Sequence, residues 1–176
     1  GLWGVEVING CSMVCGYDGD THSYAFEQII RNGEKVFPLA TDDCHDEYSA
    51  FIGFLMINSN QLTYSSIIES LEKGDFYASE GPEIYSVCIE DGIATLKFSP
   101  CRQISLATER RCSGAHIQAD GMLTEFSFNL NNWFNRTDSE MIKSAYVRFQ
   151  VTDNQGRSAY TRAYFYEEFS EAFQKK

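Results

Sequence analysis

The sequence has no long hydrophobic run. No stretch approaches the roughly 18 apolar residues that a helix needs to span a bilayer, so a helical membrane span is not expected. It also lacks the charged start and short apolar stretch of a signal peptide, and it has no initiator Met. It opens Gly1-Leu2-Trp3-Gly4-Val5-Glu6 and enters a strand-like run at once, as expected of a segment of a longer protein. Basic residues are scarce, with 14 Lys and Arg against 25 Asp and Glu, for a net charge of -11. Such a surface repels phosphate backbones and anionic lipid, so neither duplex nucleic acid nor a membrane is an expected partner. Paired CxxC spacing is absent. The six cysteines, at positions 11, 15, 44, 88, 101 and 112, match neither a paired zinc motif nor a dense secreted framework. Reduced thiols in a cytoplasmic protein are the expectation. Histidine is sparse too: His22, His45 and His116 are the chain's 3. No internal repeat or low-complexity segment is present.

What is there is enough for a packed core. Hydrophobic residues make up 43% and aromatics 14%, which excludes a disordered chain. The first part reads as β–α–β–α. Residues 5–9 form a strand and 10–19 a polar, Gly-containing loop. Residues 22–32 carry Tyr24, Phe26, Ile29 and Ile30 at near-helical spacing, with Gly33 as the stop. Residues 35–41 form the second strand. A strand–helix–strand unit is parallel and needs further strands to complete its sheet. Residues 50–57 form an apolar, strand-like run. Thr63 caps a helix that carries Ile67, Ile68 and Leu71 and ends at Lys73-Gly74. Residues 76–79 form a strand, followed by the turn at Gly81-Pro82.

The texture then changes. Short β-rich runs at 84–90, 93–98, 104–108, 124–130, 145–152 and 159–166 are separated by turn signals such as Asp91-Gly92 and Asp120-Gly121. Regular strands of this kind predict an antiparallel β-sandwich. The expected division is residues 1–82, residues 83–166 and a polar tail at 167–176.

The stretch Ala40-Thr41-Asp42-Asp43-Cys44-His45 carries the most chemistry. It leaves the apolar run Val36-Phe37-Pro38-Leu39. An Asp and a His two apart share one side of a strand end by its period of two. A carboxylate and an imidazole so placed can grip a divalent ion. The bland alternative is that Asp43 and His45 are polar residues of a strand-to-loop turn. Asp42 can orient a ligand or cap the loop. His22 lies near the site, or forms part of a helix cap with Thr21 and Ser23. Cys44 reads as a small buried filler.

Three segments together resemble the C-terminal part of the polymerase and histidinol phosphatase (PHP) family of metal-dependent phosphoesterases. They are Gly4-Val5-Glu6-Val7-Ile8-Asn9, Gly19-Asp20-Thr21-His22-Ser23 and Ala40-Thr41-Asp42-Asp43-Cys44-His45. The stretch from Leu71 to Pro82 resembles the family's exit from its catalytic barrel. The resemblance implies an α+β chain: the last two βα units of a PHP-type α/β barrel over residues 1–82, then an accessory β-sandwich. It implies Asp43 and His45 as metal ligands, with Asp42 and His22 as supporting residues. It also implies Zn, Mn or Fe as the divalent ion and a small phosphorylated substrate. The family's early His-x-His pair and its mid-sequence Glu and His ligands have no counterpart in these 176 residues. Little activity and weak metal binding are therefore expected of this chain alone. A homodimer is expected as well, because an incomplete barrel exposes apolar faces and sheet edges. The function of a different class that fits the same sequence is a non-catalytic binding module centred on the sandwich.

Overall fold

The computed structural model describes residues 1–16, 21–109, 114–134 and 145–170. The chain begins with β1 (Gly4–Asn9), a short α1 (Gly10–Val14), α2 (Thr21–Arg31) and β2 (Phe37–Thr41). β1 and β2 pair in parallel, with Asn9 opposite Thr41. The apolar stripe of α2 sets its packing: Phe26 and Ile30 are buried with Val7 and Ile8 of β1 and Ala40 of β2. The helical periodicity thus yields the expected βαβ unit.

Next come β3 (Phe54–Ile57), α3 (Tyr64–Lys73) and β4 (Phe76–Ser79). Thr63 caps α3 by accepting from the amide of Ser66. Gly74 ends it at φ 72, where a Cβ would lie 2.2 Å from the ring of Phe37. Both the left-handed backbone and the close approach demand glycine.

The remaining strands are β5 (Ile84–Glu90), β6 (Ile93–Cys101), β7 (Gln103–Thr108), β8 (Gly114–Ile117), β9 (Leu123–Asn129), β10 (Tyr146–Thr152), β11 (Ser158–Thr161) and β12 (Tyr164–Phe165). Two short helices, α4 (Asn131–Phe134) and α5 (Tyr166–Phe169), complete the described elements. β5, β6 and β9 form a three-stranded antiparallel sheet. A seven-stranded sheet runs β3-β4-β11-β10-β7-β8, with β12 also paired to β10.

β10 shows how these parts become one molecule. Its residues alternate faces, as a strand requires. Val147, Phe149 and Val151 enter a core shared with Ala94, Leu96 and Phe98 of β6, so the two sheets face each other in a sandwich arrangement. Tyr146 enters the opposite core, with Phe26 and Ile30 of α2. On that same side, Arg148 and the hydroxyl of Tyr146 reach the carboxylate of Glu27, the latter at 2.8 Å. The large sheet is therefore the middle of three layers, with the βαβ unit on one face and the small sheet on the other.

This architecture corrects the expected fold class. The chain is mostly β, and the described residues show neither a closed barrel nor a partial α/β barrel. The parallel series stops after β2. β3 and β4, expected to continue it, pair antiparallel, with Ile57 opposite Phe76. The reason lies in the ends of the connection. The amide of Asn58 donates to the carbonyl of Asp75 at 2.8 Å, and the Ser70 hydroxyl to the carbonyl of Asn58 at 2.8 Å. These bonds bring the start and finish of the segment together, so α3 closes a hairpin and makes no crossover. β4 then pairs with β11, which puts strands from both sides of Pro82 in one sheet. The apolar face of α2, expected to be open, is covered by that sheet. Among the described residues no helix is long and apolar enough to cross a membrane.

Candidate metal centre

The carboxyl ends of β1 and β2 lie side by side because the strands are parallel. Loops leaving such ends are where open α/β units place their ligands. From β1 the chain turns straight into α1, capped by Asn9, whose side-chain oxygen accepts from the amide of Ser12 at 2.8 Å. Gly10 makes this turn tight: a Cβ there would lie 2.9 Å from Cβ of Ile52 and 3.1 Å from the carbonyl oxygen of Asp42. The next amide, of Cys11, donates to that same carbonyl at 2.8 Å. The first turn of α1 is thereby fastened to the loop that follows β2.

Asp42 holds that loop from the other side. Its carboxylate accepts from the amides of Phe51, Ile52 and Gly53 at 2.7, 2.7 and 2.9 Å. These backbone bonds hold its carboxyl below the usual carboxylate range, against a smaller opposing effect of burial. Asp42 thus anchors the loop, and its oxygens are spoken for.

Asp43 and His45 come together, but not by strand periodicity. β2 ends at Thr41, and Asp43 has φ 47, in the left-handed region that Asp tolerates better than most residues. The turn sets Oδ1 of Asp43 3.1 Å from Nε2 of His45, with both side chains exposed. Oδ2 of Asp43 receives a longer bond, 3.4 Å, from Nδ2 of Asn9, which also donates to Glu6 at 3.1 Å. Glu6 further accepts from the hydroxyl of Thr41. Glu6 and Asn9 therefore tie the two strand ends together beneath the pair.

A third donor joins them. The Sγ of Cys11 and the ligand atoms of Asp43 and His45 all lie within 4.8 Å of one another. Two oxygen or nitrogen donors on one tetrahedral ion sit about 3.3 Å apart, and a sulfur–oxygen pair about 3.5 Å apart. The Asp43–His45 spacing is close to that, and the others are within about 1.3 Å of it. Thiol, carboxylate and imidazole are all donors that a borderline ion such as Zn²⁺ accepts, so the residues present fit a divalent metal.

Burial raises the Cys11 thiol above its ordinary range. A sulfur contact at 3.9 Å and the charge of Cys15 raise it further, as do the carboxylates of Asp43 and Asp46. Cys44, expected to be buried filler, is exposed and donates to the carbonyl of Asp46 at 3.2 Å. His22 falls in the first turn of α2, and its side chain lies outside the described part of the structure. Cys11 is the donor that sequence patterning missed, since residues 10–19 read as a loop. The usable signal was a cysteine two residues past a strand expected to run parallel to the one that leads into Asp43 and His45. Comparison with protein-family models, with curated proteins and with solved structures finds no match to this chain.

The anchoring role of Asp42 gives a pH prediction. Its folded-state pKa lies below the unfolded value. Its stabilising contribution is therefore present above the ordinary carboxylate range and is lost as pH falls through the folded-state value. Asp42→Asn should melt at a lower temperature than the native protein at neutral pH, and the gap should close on acidification. Thermal melts of both proteins from neutral to acid pH check this, and a gap independent of pH would refute it.

Proposed function

We propose that this chain supplies part of the active site of a metal-dependent phosphoesterase of the PHP type. On this reading Asp43 and His45 hold a divalent ion, Zn, Mn or Fe, and the substrate is a small phosphate ester. The observation that carries it is the convergence of Asp43, His45 and Cys11 at the carboxyl ends of two parallel strands, within 4.8 Å. The ordered motifs at residues 4–9, 19–23 and 40–45 support it from the sequence side. Free thiols suit this chemistry in a reducing, cytoplasmic setting, and the described cysteines are all unpaired.

A divalent ion held here would act as a Lewis acid toward a phosphoryl oxygen and make bound water more acidic. The chain's own residues do the positioning. Asp43 contributes negative charge and one oxygen donor. His45 contributes a ring nitrogen, and its Nε2 already lies 3.1 Å from Oδ1 of Asp43. Asn9 steadies the second oxygen of Asp43. Asp42 locks the loop, so the donors stay together without a substrate to gather them. Both Asp43 and His45 are open to solvent, which leaves room for a phosphate group.

Inorganic phosphate, the product common to such reactions when the ester is a monoester, tests the proposal. In the presence of Zn²⁺ or Mn²⁺, phosphate should bind the chain in calorimetry, and binding should vanish without metal and in Asp43→Ala. Turnover of p-nitrophenyl phosphate should be slow, because so few protein donors leave the ion weakly framed. Phosphate binding that ignores both metal and Asp43→Ala, or none at all, would sink the assignment.

A further inference from the structure

We propose that Cys11 is a metal ligand, so that the centre is a Cys–Asp–His site selective for Zn²⁺ over Mn²⁺. This rests on the metal-centre reading above and adds to it a donor outside the Asp-x-His motif. Three observations lead to Cys11. Its Sγ is the sulfur that shares the 4.8 Å cluster with Asp43 and His45. Its backbone is fastened to the same loop through the carbonyl of Asp42, so the sulfur is placed by the fold and not by a free chain end. It is half-buried, in contrast to the exposed Cys15 and Cys44.

The donor chemistry then sets the metal. Thiolate is soft and favours Zn²⁺ or Fe²⁺, whereas Mn²⁺ and Mg²⁺ prefer oxygen. Binding replaces the S–H bond of Cys11 with a sulfur–metal bond, and the proton leaves to solvent. Cys15, 3.9 Å away, is placed to donate its S–H toward the thiolate so formed. Cys44 takes no part, since its thiol is turned to the carbonyl of Asp46.

Cobalt substitution tests this on the whole chain, reduced and freed of metal. Titration with Co²⁺ should raise a sulfur-to-cobalt charge-transfer band in the near ultraviolet together with visible ligand-field bands. Zn²⁺ should abolish both. Cys11→Ser should lose the charge-transfer band and bind Zn²⁺ on the order of 10- to 100-fold more weakly, with little change for Mn²⁺. Cys44→Ser should keep the band. Should Cys11→Ser fold poorly, alkylation of the native chain gives a second readout: Zn²⁺ should protect Cys11, but not Cys88, from iodoacetamide in peptide mapping. Ligand-field bands that depend on Asp43 but come without charge transfer would overturn Cys11 and leave the Asp43–His45 centre standing. A band that survives Cys11→Ser and disappears in Cys15→Ser would overturn Cys11 as well. No Co²⁺ binding would overturn both readings, whereas unprotected Cys11 in saturating Zn²⁺ would overturn Cys11 alone.

Discussion

Glu27→Ala should destabilise the protein by about 3–5 kcal/mol, the usual cost of leaving one partner of a buried ion pair alone. Arg148 is 7% exposed, and its guanidinium carbon lies 5.9 Å from the ring centres of both Phe26 and Tyr160. Glu27 neutralises it, with Arg31 at 3.8 Å on the outer side, and accepts from the hydroxyl of Tyr146. Without Glu27 the guanidinium and the phenol lose the carboxylate that accepts from both. The double variant Glu27→Ala with Arg148→Met should recover much of the loss, because the charge goes with its partner. Urea unfolding of both variants measures this. A single-variant loss below about 1 kcal/mol would mean that the pair is solvated and does not hold α2 to the sheet.

Phe149→Ala should cost about 3–5 kcal/mol on the opposite face of the same strand. Phe149 is fully buried, its ring centre 6.0 Å from that of Phe128 and 6.3 Å from that of Tyr164. It fills the space between the two sheets, and alanine would leave a cavity that two β-layers cannot close. Because β10 serves both cores, this variant and Glu27→Ala should each move one cooperative transition. Two separate melting steps, only one of which responds to each variant, would contradict the three-layer account.

Local pattern was legible where a residue's neighbours in sequence decide its state. The spacing of Phe26, Ile29 and Ile30 marked α2, and Thr63 and Gly74 marked the ends of α3. Apolar runs marked most strands. Direction was not legible, because an apolar run such as Phe54–Ile57 buries equally well in a parallel or an antiparallel pair. What reversed β3 against β4 was the closure from Asn58 to Asp75, a tertiary event. The run read as one strand over 159–166 divides into β11 and β12 along one edge of β10, followed by α5. β8 was missed because Gly114-Ala115-His116-Ile117 has weak strand propensity and is held by its partner β7.

The candidate site divides in the same way. Asp43 and His45 stood out by residue type and spacing. A shared strand face does not bring them together: β2 ends at Thr41, and the positive φ of Asp43 does so beyond the strand. Cys11 lies 32 positions before Asp43. Only the parallel register of Asn9 with Thr41 carries it there, and that register is a property of the folded sheet.

The most direct test of the centre is a calorimetric titration of Zn²⁺ into the native chain and into Asp43→Ala, His45→Ala and Cys11→Ser, under reducing conditions. The account predicts one ion per chain, weakened on the order of 10-fold or more by each of the three substitutions, with protons released on binding. Zinc bound equally by the native chain and all three variants, or not bound at all, would contradict it.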